Sequence, residues 1–149
     1  MKFTETKLKG CFVIEPKIIH DDRGYFMESF NEQTFEKGTG EKVHFVQDNQ
    51  SFSQTGTLRG LHAQAKPFAQ GKLVRVIQGK VLDIAVDIRT ESPTFGQYFS
   101  IELTGENFKM LWIPPGFLHG FVTLEDQTIF SYKVSGFYDK ASEIGVKWD

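Results

Sequence analysis

Residues 58–89 read LRGLHAQAKPFAQGKLVRVIQGKVLDIAVDIR, and the second half of this stretch decides the fold class. Over residues 72–77 and 81–88 apolar side chains recur at every second position, the period of a β-strand with one buried face. Gly79-Lys80 lies between the two arms, so the spacing predicts a hairpin. In the second arm Leu82, Ile84, Val86 and Ile88 share one face, and Val81, Asp83, Ala85 and Asp87 share the other. In the first arm Lys72 shares a face with Val74 and Val76. A lysine in line with two valines points into an enclosed space or sits at its rim.

Working outward, the chain keeps the same texture. Strands are predicted at 11–16, 25–30, 43–53, 57–64, 97–103, 108–113, 117–124 and 128–134, with turns such as residues 20–24 and Thr104-Gly105-Glu106-Asn107 between them. Asn31 has the chemistry to cap a short helix over 32–37, closed by Gly38. Pro114-Pro115-Gly116 forces a bend ahead of Phe117. Many short strands at this spacing predict an all-β, single-domain chain over residues 1–149. The expected architecture is a double-stranded β-helix, a jelly-roll, cupin-like barrel with few short helices.

Composition excludes several classes of function. The formal charge is −2 and no lysine or arginine run occurs, which argues against nucleic-acid binding. No segment approaches the roughly 18 apolar residues of a membrane span, and the N-terminus lacks an apolar signal core. The single cysteine, Cys11, allows no internal disulfide and points to a reducing cytoplasm.

Four histidines carry unequal weight. His20 and His44 sit in polar surroundings and read as surface residues. His62 and His119 lie in strands beside glycines and aromatics, where a histidine alone is more often a hydrogen-bonded structural residue. The charged neighbourhood of His62 tells against that reading: Arg59 and Lys72 flank it, and Asp83 and Asp87 follow on the next arm. Polar groups gathered at a barrel interior usually form a site, because buried charge is expensive unless paired. Arg59 and His62 are three apart and face opposite sides of a regular strand, unless Gly60 hosts a bulge that brings them together. A metal site needs a histidine pair and a carboxylate, but Ala63-Gln64 follows His62, and Lys72 stands where a ligand is needed; no metal or other cofactor is expected. No nucleophile elbow, phosphate loop or dinucleotide fingerprint occurs. Acid/base chemistry remains.

The motifs Asp22-Arg23-Gly24-Tyr25-Phe26, Val46-Gln47-Asp48-Asn49, Leu58-Arg59-Gly60-Leu61-His62, Gln70-Gly71-Lys72-Leu73-Val74-Arg75, Ser92-Pro93-Thr94-Phe95-Gly96, Leu111-Trp112-Ile113-Pro114-Pro115-Gly116-Phe117 and His119-Gly120-Phe121 together resemble the dTDP-4-dehydrorhamnose 3,5-epimerase family. The resemblance runs from about Gly10 to Trp148. It implies a cofactor-independent epimerase of a nucleotide-linked 4-keto-6-deoxy sugar, dTDP-linked, working as a homodimer with exchanged strands. His62 would take the proton beside the C4 ketone, Lys72 would hold the enolate oxygen, and Tyr138, or else Tyr132, would return a proton to the opposite face. Arg23, Arg59 and His119 would hold the diphosphate, with Gln47 and Asn49 near the nucleotide. Phe26 and Glu28 complete the implied substrate-binding set, packing being the other reading of Phe26.

Two departures stand out. Family members carry an aromatic residue where this chain has Ala63. They also orient the histidine with an aspartate beyond the barrel, whereas this chain stops at Asp149; Asp83 is the expected substitute, failing which activity is impaired. The alternatives are a sugar-nucleotide 3,4-ketoisomerase, a non-catalytic sugar-nucleotide binding protein and a metal-dependent cupin enzyme.

Overall fold

The computed structural model describes residues 1–147; Asp149, and Trp148 at the far end of the resemblance, lie outside the described residues. Four short strands, β1 (Lys2–Glu5), β2 (Phe12–Glu15), β3 (Ile18–Asp21) and β4 (Gly24–Met27), lead to α1 (Glu32–Thr39). Five longer strands follow: β5 (Gln47–Ser53), β6 (Leu58–Gln64), β7 (Lys72–Gln78), β8 (Lys80–Asp87) and β9 (Tyr98–Thr104). The remainder are β10 (Met110–Ile113), β11 (Phe117–Thr123), β12 (Thr128–Val134) and β13 (Glu143–Gly145).

Two antiparallel sheets form the barrel, in the orders β1-β2-β10-β7-β12-β5 and β13-β6-β11-β8-β9. This is the predicted jelly roll, but the residue 72–88 stretch is not a hairpin. β7 pairs with β10 and β12, whereas β8 pairs with β9 and β11 in the opposite sheet. Gly79, at φ +80°, turns the chain from one sheet into the other, and a Cβ there collides with Thr128. Each arm presents an alternating face that needs cover, and facing sheets cover both at once. Val74 and Val76 of β7 thus meet Val81 and Ala85 of β8 in one buried cluster with Leu111, Phe121 and Phe130. On β8 the inward row is Val81, Asp83, Ala85 and Asp87, while the more apolar Leu82, Ile84 and Val86 face outward, half-buried.

A second cluster lies against the six-stranded sheet, where Phe35 of α1 meets the Trp112 ring edge-on at 5.1 Å. The Asn31 side chain caps α1 as predicted, accepting from the Thr34 amide. The helix runs past Gly38 to a left-handed stop at Gly40, φ +75°; the glycine at 38 serves packing instead, since the ring of Phe3 fills the space a side chain there needs. No helix among the described residues is long and apolar enough to cross a membrane.

β3 and β4 pair only with each other among the described residues, tightening the predicted 20–24 turn into a hairpin. The hairpin exposes Ile19, Tyr25 and Phe26 to solvent. At the opposite edge β5 pairs with β12 alone among the described strands.

Asp87, which the sequence reading gathers near His62, serves the barrel end instead. Its fully buried carboxylate accepts from Arg89 at 2.8 and 2.9 Å and from Ser92 and Thr94 at 2.6 Å, tying down the Ser92-Pro93-Thr94-Phe95-Gly96 loop. Burial alone raises its pKa, but the hydrogen bonds from Arg89, Ser92 and Thr94 outweigh this and hold it far below the usual carboxylate range. The folded pKa is depressed, so this stabilisation is present above pH ~4 and fades only as strong acid protonates the folded group. Asp87→Ala strands the guanidinium and should cost about 3–5 kcal/mol, read by urea unfolding at pH 7.

Candidate active site

Gly60 makes the site possible. On the β6–β11 ladder His62 faces His119 and Arg59 faces Phe121, so three steps on β6 oppose two on β11. This is the bulge that the sequence left open as one of two outcomes at Gly60, and it turns Arg59 and His62 into the same cavity. Gly60 has φ +109°, and a Cβ there falls 2.5 Å from the His119 carbonyl oxygen, so only glycine fits.

The cavity measures about 340 Å³ and is walled by Arg59, His62, Lys72, His119, Phe130 and Tyr132, with Asn49 and Ser51 along one side. A second, of about 280 Å³, shares Asn49, His62, Lys72 and Tyr132 and adds Gln47, Gln64, Gln70, Tyr138 and Glu143. His62 and His119 come from the five-stranded sheet, Lys72 and Tyr132 from the facing one. A ligand between the sheets therefore meets an imidazole on one side and an ammonium and a phenol on the other.

Lys72 is 6% exposed, which places it inside rather than at the rim. Burial lowers its pKa to about 8, with Asp83 and Glu143 pulling the other way. His62 is pushed down to about 4, by burial first and then by the charges of Lys72 and His119, with Glu143 opposing. It is neutral at pH 7, the form a general base requires.

Asp83 does not orient His62. Its Oδ2 lies 2.9 Å from Nε2 of His119, both groups being buried, while Oδ1 has no partner among the described residues. The reason is register: Asp83 and His119 lie on neighbouring strands of one sheet, with β11 between β8 and β6. The carboxylate nearer His62 is Glu143, which sequence reasoning missed. β13 runs along β6 with Gly145 opposite His62 and Glu143 opposite Gln64. The Asp139 side chain, which accepts from the Ser142 amide, redirects the chain into that strand, and an Asp three residues before a Ser was the available signal.

The two tyrosines differ. Tyr132 is half-buried, lines both cavities and has its pKa raised by burial. Tyr138 is 54% exposed, and its hydroxyl donates to Glu143 Oε2 at 2.7 Å. Gln47 donates to Asn49 at 2.8 Å along the wall. Arg23, Phe26 and Glu28 line neither cavity: Arg23 pairs with Asp21 at the hairpin tip, Phe26 is 68% exposed, and Glu28 accepts from Asn31. Cys11 is buried, and burial pushes its thiol up to about 12, unsuited to attack. Among the described residues no three His, Cys, Asp or Glu side chains converge as metal ligands.

Comparison with known proteins gives a consistent result. The family model described as dTDP-4-dehydrorhamnose 3,5-epimerase matches residues 5–149. A dTDP-4-dehydrorhamnose 3,5-epimerase of Shigella flexneri is 52% identical, over 99% of this chain and 82% of that protein. A crystal structure of the same-named enzyme from Elizabethkingia anophelis superposes with TM-score 0.96 at 51% identity, covering 99% of this chain and 81% of the other. A dTDP-6-deoxy-D-glucose-3,5-epimerase from Legionella pneumophila, solved with dTDP-4-keto-L-rhamnose, gives TM-score 0.95 at 47% identity, covering 99% and 78%.

Histidine NMR tests the electrostatics directly. His62 should stay neutral from pH 8 to about 5, and Lys72→Met should raise its midpoint. The folded pKa lies below the unfolded value of about 6.5, so the fold should also lose stability as pH falls through that window. A wild-type midpoint near 6.5 contradicts the buried placement.

Proposed function

This chain belongs to the dTDP-4-dehydrorhamnose 3,5-epimerase family, and we propose that it inverts carbon centres beside the C4 ketone of a dTDP-linked 4-keto-6-deoxy sugar. The observation that carries the mechanism is a neutral histidine and a buried lysine on facing walls of one cavity. A proton beside a ketone is less acidic than an ordinary imidazolium by roughly ten or more pKa units, an uphill transfer of about 14 kcal/mol or more, and a His62 near 4 widens that gap. The imidazole of His62 takes that proton. The charge moves to the ketone oxygen, where the buried Lys72 ammonium offsets several kcal/mol. Tyr132, from the opposite sheet, returns a proton to the other face, so the centre inverts. Tyr132 suits this role better than Tyr138, whose hydroxyl is engaged with Glu143 at the mouth.

Arg59 and His119 hold the diphosphate, and Asp83 fixes the His119 ring. Glu143 stabilises the imidazolium that His62 becomes. The working unit is a homodimer in which the β3–β4 hairpin crosses to the other subunit. That exchange gives the exposed Ile19, Tyr25 and Phe26 a surface to cover and delivers Arg23, Phe26 and Glu28 to the site of the partner subunit.

Two experiments follow. In D2O with a dTDP-4-keto-6-deoxy sugar, proton NMR should show deuterium entering at C3, C5 or both, with no movement of the carbonyl. His62→Ala should abolish the exchange, a loss of about 10²–10⁴ or more, while Tyr132→Phe should exchange without inverting. No wash-in by the wild type rejects the mechanism, and a shifted carbonyl makes the protein a ketoisomerase. For the dimer, Arg23→Ala and His62→Ala chains, each inactive, should regain about a quarter of wild-type activity when co-refolded one to one, because only mixed dimers hold one complete site. No recovery in mixed dimers argues against exchange.

A further inference from the structure

We propose that Phe108 is a positioning residue for the site of the partner subunit: its ring seats Tyr25 and so sets the angle at which the β3–β4 hairpin leaves its own subunit. This rests on the reading that the hairpin crosses and delivers Arg23, Phe26 and Glu28. Phe108 lies in the turn that carries the chain from β9 in one sheet to β10 in the other. Its φ is +53°, a left-handed backbone that a bulky side chain seldom adopts and that glycine or asparagine fills with less strain. The turn is held there from both sides. Asn107 Oδ1 accepts from the Thr104 amide at 3.2 Å and, across Phe108, from the Lys109 amide at 3.0 Å, while its Nδ2 donates to the Glu102 carbonyl at 3.1 Å.

Backbone strain of this kind persists where the surroundings fix it and something depends on the side chain. The interior of the subunit does not depend on this one: neither buried cluster among the described residues includes the Phe108 ring. The ring is half-buried and meets Tyr25 edge-on instead, with centroids 4.8 Å apart at 63°. On β4 alternate side chains face opposite ways, so Tyr25 and Met27 share one side, Gly24 and Phe26 the other. One side of the strand thus grips its own subunit, while the exposed Phe26 is presented away from it. Among the described residues β3 and β4 pair with no strand of either sheet. A hairpin without a ladder takes its direction from such side-chain contacts, and groups that hold a substrate need their direction fixed.

The test is steady-state kinetics with a dTDP-4-keto-6-deoxy sugar. Phe108→Asn suits the left-handed turn but removes the ring, so its melting temperature should stay within about 4 °C of wild type. KM should rise about tenfold, with kcat within about threefold, because the hairpin carries groups that hold substrate. Tyr25→Ala, on an exposed strand, should do the same, and the double variant should lose no more than either single one. Subunit mixing then locates the effect. Co-refolded with about a tenfold excess of His62→Ala chains, each Phe108→Asn chain receives an intact hairpin, and KM should return to within about twofold of wild type. An excess of chains carrying both substitutions should leave KM high. A KM that stays high in both mixtures overturns the proposal, and so does an unchanged KM in the Phe108→Asn homodimer. Additive losses in the double variant, or a melting temperature lower by about 10 °C or more, also overturn it, the latter assigning the ring to the stability of the fold. Arg23→Ala chains that regain nothing from the same His62→Ala excess reject the hairpin exchange beneath it, a distinguishable result.

Discussion

An ammonium group sealed between two β-sheets is the constraint from which the rest of the site follows. Taking Lys72 out of water is costly, and the surrounding chain answers with acidic groups: Asp83 behind His119 and Glu143 on the edge strand both favour the charged form. Burial still prevails, and the lysine ends near 8, mostly charged at neutral pH. The same charge, added to the histidine's own burial, keeps His62 unprotonated. In the mechanism we propose, one buried cation thus sets up both partners of a proton abstraction, a base that is free and an electrostatic sink for the electrons it releases.

The inward row of β8 belongs to the same economy of charge. A strand half-covered by a core normally turns its more hydrophobic row inward. Here Asp83 and Asp87 take the inside, and Leu82, Ile84 and Val86 the outside. The inversion is tolerated because each carboxylate finds a cation or imidazole: Arg89 for Asp87 and His119 for Asp83.

What was legible in the sequence was local. Period-two alternation placed Lys72 on the same side as Val74 and Val76, and the barrel interior lies on that side. The three-residue gap between Arg59 and His62, with a glycine inside it, allowed either opposite faces or a bulge, and the ladder contains a bulge. Asn31 announced a helix start, but the helix ends at Gly40 and not at Gly38, whose missing side chain makes room for Phe3. What was hidden depends on pairings between distant segments. Alternation cannot say whether Gly79 closes a hairpin or turns a corner between sheets, since both leave the same pattern in the arms. Asp83 was matched to the wrong histidine because strand order, with β11 lying between β8 and β6, is absent from linear spacing. Glu143 escaped notice because a three-residue strand has too few positions to show a period.

The border position of β5 has one further meaning. Its inner side chains wall the cavity, yet its backbone is anchored along a single ladder among the described residues, that with β12. A strand held on one side is the most easily displaced member of a sheet, and its open amides and carbonyls invite a neighbouring chain to continue the ladder. A neighbour seated there would stiffen the wall that carries Asn49 and Ser51. The side of the cavity built on β5 is thus the part of its sheet held by the fewest main-chain bonds among the described residues, and the part most open to reshaping from outside.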